Sequence, residues 1–439
     1  MTGRGLIIAA PASGSGKTLV ALGLLRHLRR RGIAVAAAKA GPDYVDPTFL
    51  AAASGRPCVN LDPWAMRPAT LAGMVGDLEA SAELVLCEGV MGLFDGAGAS
   101  GEDGSTAELA RITGWPVILV VDARGQGASA AALLRGFREH DRDVAIAGVV
   151  FNRVAGPRHR ALLEEAVARH LPQVACLGAL PRAEALDLAE RHLGLVPAGE
   201  TCSLEPRIER ASALVAAAVD TESLIATAQA SIVARTASGR GLPPLGQRIA
   251  VARDDAFLFL YEATVAGWRE CGCETSFFSP LADEPPDADA DAVYLPGGYP
   301  ELHAGRLSQT RRFIDGLRQA AARGKTIYGE CGGFMVLGDL LIAADGRAYP
   351  MAGLLGLRTS FADRRRHLGY REAMLLAATP LGAAGVRFRG HEFHYATTVS
   401  EAGSALFSVA DSRGRNLGRT GLRRGRVAGS FIHLIDTRA

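Results

Sequence analysis

The sequence has no excess of charge of one sign: 48 basic residues against 46 acidic ones leave a formal charge of +2. That balance excludes the polycationic field that grips a phosphate backbone, so nucleic acid is not an expected partner. Long apolar runs are also missing, and no stretch reaches the roughly 18 apolar residues that a membrane-crossing helix needs. Leu6–Ala10, the only apolar segment near the start, is too short for a signal-peptide core and runs straight into a glycine-rich loop. Cysteine is sparse, with seven residues scattered from Cys58 to Cys331. An odd, dispersed set in a long chain is not the disulfide framework of a small secreted domain. A soluble protein of the reducing cytoplasm is expected, with no membrane partner.

With 48% hydrophobic and 21% charged residues, the composition is globular. At 439 residues the chain exceeds one ordinary core, so at least two domains are expected. From residue 5 to about 225 the segments GLIIAA, IAVAAAKA, ELVLCEG, PVILVVDA, VAIAGVVFNRV and VACLGALP are short runs apolar on both faces. Such runs are the mark of a parallel sheet covered by helices. Thr18–Arg31, Gly127–His140 and Arg158–His170 have helical spacing and supply the crossovers. The fold class is therefore α/β, a P-loop, doubly wound, mostly parallel sheet in residues 1–235. Residues 236–247, rich in Ser, Gly and Pro, read as a linker. A second α/β domain follows over 248–439, with RIAVARD, TSFFSP, AVYLPGG and TIYGECGG as its strands. GVRFRGHEFHYATTV and RVAGSFIHLI read as antiparallel strands added to it.

Two motifs carry chemistry. PASGSGKT, residues 11–18, follows a strand and opens a helix, as a phosphate-binding loop must. Backbone N–H groups of Ser13, Gly14, Ser15 and Gly16 face phosphate, Lys17 meets the outer phosphate oxygens, and the Thr18 hydroxyl is a magnesium ligand. Pro11 stands where the usual pattern has glycine. KAGPDYVDP brings Lys39, Asp43 and Asp46 to the end of the second strand, and CEGVMGLFDG brings Glu88 and Asp95 to the end of the next. Ligands of an open α/β sheet collect at the carboxyl ends of strands, so these residues and the loop share one crevice. In TIYGECGGFMVLG, Cys331 sits at a strand-to-helix turn between glycines, like a nucleophile elbow. A helix N-terminus and exposed amides lower a thiol's pKa, so a thiolate is expected there. LPGGYPELHA places the amide of Gly298 where it can form an oxyanion hole with that of Gly332. His433 is a candidate base, with His391 and His394 as rivals nearer to substrate or domain contacts, and the CxC pair Cys271 and Cys273 reads as core, not zinc.

Taken together, PASGSGKT, KAGPDYVDP, EGVMGLFDG, LPGGYPELHA, YGECGGFMVLG and GSFIHL resemble the cobyrinic or hydrogenobyrinic acid a,c-diamide synthases of cobalamin biosynthesis, over nearly the whole chain. The N-terminal half is similar to dethiobiotin synthetase and the C-terminal half to class I glutamine amidotransferases. The resemblance implies ATP, Mg2+, glutamine and a corrin polycarboxylate as cofactors and substrates. It implies Cys331 as nucleophile and His433 as the residue that activates it. It maps Thr18, Asp46 and Glu88 onto magnesium positions, Lys17 and Lys39 onto phosphate contacts, and Asp43, Tyr44 and Asp95 onto substrate contacts, with Asp43 able to exchange roles with Asp46. Usual triads carry a glutamate two residues after the histidine, where this chain has Ile435. Glu392 and backbone carbonyls are both open as what orients His433.

The implied reaction is formation of an acyl phosphate on a substrate acetate and its displacement by ammonia released from glutamine, which requires the two sites to face each other or to meet across a homodimer. A nickel sirohydrochlorin substrate is the near alternative. A P-loop regulatory ATPase with a non-catalytic C-terminal domain, or a cysteine hydrolase with a regulatory P-loop, are the distant ones.

Overall fold

The computed structural model describes residues 3–98, 100–182, 190–191, 194–195, 204–234 and 241–438. Residues 236–240 of the expected linker lie outside the described residues. The chain divides into two units, one of Met1–Trp64 with Pro68–Gly239 and the other of Ala65–Arg67 with Arg240–Ala439.

In the first unit strands β1 (Arg4–Ala9), β2 (Val35–Ala40), β3 (Cys58–Leu61), β4 (Leu84–Glu88), β5 (Val117–Asp122), β6 (Ile146–Val154) and β7 (Ala175–Pro181) form one sheet in the order β3-β2-β4-β1-β5-β6-β7. Every pairing in it is parallel. The runs without polar alternation required this outcome, because a strand apolar on both faces must be covered on both. The crossovers include α1 (Lys17–Arg30), α2 (Asp46–Ser54), α3 (Pro68–Ser81), α4 (Thr106–Thr113), α5 (Ser129–His140) and α6 (Pro157–His170). Helices α7 (Leu204–Ala218) and α8 (Thr221–Thr227) follow the last strand. Helix α1 buries Val20, Ala21, Leu24, Leu25 and Leu28, the stripe that a 3.6-residue period puts on one face. Strand β3 and helices α2 to α4 were not anticipated. Four residues are too few to show a period, and α2 and α3 are apolar nearly all round.

The second unit is built on a mixed sheet. Its strands are β8 (Arg248–Ala252), β9 (Glu274–Phe278), β10 (Ala292–Leu295), β11 (Thr326–Glu330), β12 (His367–Leu375), β13 (Arg387–His394), β14 (Ser404–Asp411), β15 (Asn416–Arg424), β16 (Val427–Ser430) and β17 (Ile432–Arg438), in the order β9-β8-β10-β11-β16-β15-β14-β12-β13-β17. The first five are parallel neighbours and the remainder antiparallel. RVAGSFIHLI forms two strands: β16 is antiparallel to β15 on one side but parallel to β11 on the other, which corrects the purely antiparallel expectation, and β17 is antiparallel to β13. The basic run at Arg364–Arg366 leads into β12, where Arg371 is paired with Glu392 at 2.6 Å. Helices α9 (Glu262–Glu270), α10 (Arg311–Ala322) and α11 (Gly332–Leu337) cover the parallel part.

This unit also holds Ala65–Arg67. The backbone N–H of Arg67 donates to Oδ2 of the fully buried Asp436 at 2.9 Å, and its Nε donates to Oδ1 at 3.0 Å. Sequence alone gave no sign of this clasp between positions far apart in the chain.

Tight packing beneath the β11–α11 turn depends on glycine. A Cβ placed on Gly333 would lie 2.0 Å from the carbonyl oxygen of Leu295, so backbone would have to move. The Gly333→Ala variant should be less stable by about 1–3 kcal/mol, the usual cost of overpacking a rigid site. Urea unfolding against the unsubstituted chain measures it.

Candidate active sites

The phosphate loop lies between β1 and α1. Gly14 and Gly16 take φ of 77° and 97°, which glycine adopts without strain. The loop is held from behind by β6. Asn152 Nδ2 donates to the Ser15 carbonyl at 2.9 Å, and Arg153 donates to the Gly14 carbonyl at 2.8 Å and to Asp122 at 2.7 Å. Asn152 also explains why residue 16 is glycine, since a Cβ there would fall 2.1 Å from Asn152 Nδ2. Reading the sequence missed Asn152 and Arg153. The available signal was a polar pair, FNRV, ending an apolar strand at the functional edge of the sheet.

Strands β2, β4 and β1 are adjacent, so their ends deliver side chains to one place. Lys39 and Glu88 are register partners, and Ile8 pairs with Glu88. Lys39 Nζ, buried, lies 2.5 Å from Asp46 Oδ2 and 3.1 Å from Glu88 Oε1. The Thr18 hydroxyl donates to Glu88 Oε1 at 2.7 Å, and Lys17 Nζ donates to the Met91 carbonyl at 2.6 Å. Burial opposes the charge of Lys39, but Asp46, Glu88 and Asp43 outweigh it and raise its pKa. Burial raises the Glu88 carboxyl, lowers the Lys17 ammonium and, with Asp46 nearby, pushes Asp43 up to about 6. Five charged groups of mixed sign thus share a partly dry cleft. The Glu88 Oε2 atom is buried without a hydrogen-bond partner among the described residues. With the Thr18 hydroxyl and the Asp46 carboxylate it makes an all-oxygen donor set, as a hard divalent cation requires.

Asp43 and Asp46 differ in their tasks. Asp43 Oδ1 accepts from the backbone N–H of Val45 at 2.7 Å and of Asp46 at 2.9 Å, shaping the turn into α2, whereas Asp46 faces Lys39. Tyr44 is half-buried in the same turn. Asp95 Oδ2 accepts from the Gly92 N–H at 2.9 Å and folds the loop whose Met91 carbonyl meets Lys17.

The second cluster lies wholly within the second unit. Cys331 links β11 to α11 with φ 46° and ψ −102°, a conformation outside the ordinary regions for a side-chain-bearing residue. Its N–H donates to the Ser430 carbonyl at 2.8 Å and its carbonyl accepts from Met335 at 3.1 Å, so both sides of the turn are fixed. A Cβ on Gly297 would meet His433 Cε1 at 2.3 Å and Cys331 Cβ at 3.3 Å. Glycine at 297 is therefore what lets the thiol and the imidazole approach each other. The Gly298 nitrogen is 3.0 Å from the place of a Cβ on Gly332, which brings the two expected oxyanion amides to one spot.

The expected thiolate is corrected. Burial pushes the Cys331 thiol up, and Glu301, Glu392 and Glu330 add to it, while the Gly332 N–H only partly opposes them. Burial likewise pushes His433 down to about 3. The resting pair is a neutral thiol beside a neutral imidazole. The one-turn helix cannot offset desolvation of a fully buried sulfur.

Of the groups left open as partners of His433, Glu392 is committed elsewhere. Its oxygens meet Arg371 Nε at 2.6 Å and His394 Nε2 at 3.1 Å. Although burial works against its charge, the hydrogen bonds from His394 and Arg371 hold Glu392 down to about 2. His394 stacks on Phe431 and His367 at centroid distances of 4.0 and 4.6 Å, and its Nδ1 faces the Ala396 carbonyl. His391 is the cross-strand neighbour of His433. The residue the sequence reading overlooked is Glu330, buried one position before Cys331, with Oε2 4.0 Å from His433 Nδ1.

A P-loop crevice with acids at strand ends, and a thiol elbow with a histidine and paired glycine amides, match two family models. Residues 6–196 match the CobQ/CobB/MinD/ParA nucleotide binding domain and residues 248–438 the CobB/CobQ-like glutamine amidotransferase domain. Hydrogenobyrinate a,c-diamide synthase of Sinorhizobium sp is 54% identical over 98% of this chain and 98% of its own length. Those of Rhizobium meliloti and Rhodobacter capsulatus are 54% and 52% identical, each over 98% of this chain and 99% and 98% of their own lengths. The chain belongs to the hydrogenobyrinate a,c-diamide synthase family. In this diamide synthase family a nucleotide-binding domain is joined to a glutamine amidotransferase domain. That pairing accounts for two clusters of unlike chemistry in one chain, one of oxygens and cations, the other of sulfur, imidazole and amides.

The buried charge knot gives a direct expectation. Replacing Lys39 by Ala leaves Glu88 and Asp46 facing each other without their cation, which should cost about 3–5 kcal/mol. Thermal unfolding should show the loss, and a millimolar divalent cation should restore part of it in the variant.

Proposed function

We propose that this protein converts the a and c acetate carboxylates of hydrogenobyrinate to amides, using ATP and ammonia drawn from glutamine, in the cytoplasmic synthesis of cobalamin. The observation that supports this reading best is the presence of both complete constellations in a chain matched end to end by synthases of that name. The relatives from Sinorhizobium, Rhizobium and Rhodobacter all carry the hydrogenobyrinate name, which favours the cobalt-free corrin over a cobalt corrin or a nickel sirohydrochlorin.

In the first unit the amides of residues 13–16 and Lys17 hold the ATP phosphates, and Thr18, Asp46 and Glu88 would hold Mg2+, which when bound would supply positive charge to the transferring phosphoryl group. Lys39, which Asp46 and Glu88 hold at the end of the same cleft, is the second cation available to the γ-phosphate. Asp43, Tyr44 and Asp95 line the side from which substrate arrives. A substrate carboxylate is already ionised at neutral pH, so its attack on the γ-phosphorus requires positioning and charge stabilisation and no general base. ADP leaves and an acyl phosphate remains; ammonia then displaces phosphate to give the amide.

In the second unit His433 takes the thiol proton as Cys331 Sγ attacks the glutamine amide carbon. The oxyanion is met by the amides of Gly298 and Gly332. The same proton goes to the departing nitrogen, ammonia leaves, and water hydrolyses the thioester to glutamate.

Cys331→Ala should abolish glutamine-dependent amidation while ammonium salt still supports ATP-dependent amidation of hydrogenobyrinate. Mass spectrometry should count two added amides in that reaction. Persistence of glutamine use in the variant, or ATP turnover indifferent to any carboxylate substrate, overturns the proposal. Lys17→Ala should show the reverse pattern, with synthesis lost from both nitrogen sources and a weak glutaminase retained.

A further inference from the structure

When His433 takes a proton it becomes a cation in a site that excludes water, and an unmet buried cation is costly. The usual acid two residues later is absent: Ile435 is apolar and buried, and Asp436 is turned to Arg67. Glu392 is occupied by Arg371 and His394. Glu330 stands differently. It is 1% exposed, at the end of β11, with Oε2 accepting from the Tyr294 hydroxyl at 2.8 Å and Oε1 from the Leu434 N–H at 3.1 Å. Leu434 follows His433 and Glu330 precedes Cys331, so this one carboxylate ties the strand of the base to the elbow of the nucleophile. Among the described residues, the only nitrogen of a cation-forming side chain within 4.0 Å of Glu330 is Nδ1 of His433.

We propose that Glu330 is the positioning residue of the glutaminase centre, its carboxylate facing His433 Nδ1 so that this nitrogen keeps its proton and Nε2 serves as the base. The inference rests on the reading of Cys331 and His433 given above. As the S–H bond breaks and the Sγ–C bond forms, the proton arrives at Nε2 and the ring becomes imidazolium. Glu330 then holds a full opposite charge against it, until Nε2 passes the proton to the leaving ammonia. The 4.0 Å separation is longer than a hydrogen bond, as catalytic contacts commonly are before substrate binds. A carboxylate with no fixed cation is poorly stabilised at rest, so the attraction is strongest in the transition state, where it lowers the barrier.

The titratable groups facing Glu330 are Tyr294 on β10, Tyr328 on its own strand, Cys331 next in the chain and His433 on β17. Burial, only partly offset by hydrogen bonds from Tyr294, Leu434 and Tyr328, pushes its carboxyl up to about 7. The active form is the carboxylate, so glutamine hydrolysis should fall as pH drops through about 7.

The experiment is glutamate release from glutamine by the full chain between about pH 5.5 and pH 9. Glu330→Gln should lower kcat by ~10²-fold, less than in serine triads because a thiol is the better nucleophile, with KM little changed and the acid limb gone. Ammonia-supported amidation should stay at the unsubstituted rate, and Glu330→Asp should recover part of the loss. Tyr294→Phe keeps the buried ring but removes a hydrogen bond to the carboxylate, so its acid limb should move to higher pH. Wild-type kcat with an unaltered pH profile in Glu330→Gln overturns the inference, as does a reduced kcat whose acid limb is unmoved in both Glu330→Gln and Tyr294→Phe. Continued glutamine use by Cys331→Ala would instead overturn the underlying assignment of the site.

Discussion

A residue with a side chain at φ 46° and ψ −102° is strained by about 1–3 kcal/mol and persists only where its surroundings leave it no alternative. Cys331 is held there by bonds to Ser430 on one side and Met335 on the other, and by glycines at 297, 329, 332 and 333 that allow backbone to pack where side chains would collide. The turn projects the sulfur off the end of the sheet with two amides beside it. The arrangement of the second unit follows from that demand. β10 must end in Pro296-Gly297-Gly298 to approach the elbow, β16 must run parallel to β11 to accept its N–H, and β17 must return to bring the imidazole.

The first unit meets a different demand with charge in place of strain. Its cleft gathers Lys17, Lys39, Asp46 and Glu88 from three neighbouring strand ends, where in the free state they satisfy one another. On the proposed function, these are the contacts that phosphate and metal would replace. The two centres therefore prepare themselves by opposite means. One stores strain and neutral groups that become charged during reaction, and the other stores charges that become neutralised on binding.

Much of this was legible in the residues. Glycines before Lys17, carboxylates after apolar strands and a cysteine between glycines each require a particular backbone, and that backbone places them. The parts that escaped depend on contacts between segments far apart. Nothing local to Asn152 says that it braces a loop at Ser15, and Glu330 sits in an apolar strand whose inward and outward positions cannot be told from its own sequence. The thiolate expectation failed because helix position was visible in the sequence while burial was not, and for the Cys331 sulfur burial is the larger effect. The strands His367–Leu375, Ser404–Asp411 and Asn416–Arg424 were missed because their faces are mixed and half-exposed, which blurs the period of two.

The clasp of Arg67 on Asp436 means that the glutaminase half is not a contiguous piece of chain. Asp436 closes the strand that carries His433, and its counter-cation is supplied by a residue encoded near the start of the protein. A fragment cut at the linker would keep every residue of the thiol centre and still bury an acid without its cation at the foot of the histidine strand. The boundary between the sequence families is thus not the boundary of the packed units, and a split version of this enzyme keeps the Asp436 ion pair only if Ala65–Arg67 travels with its C-terminal half.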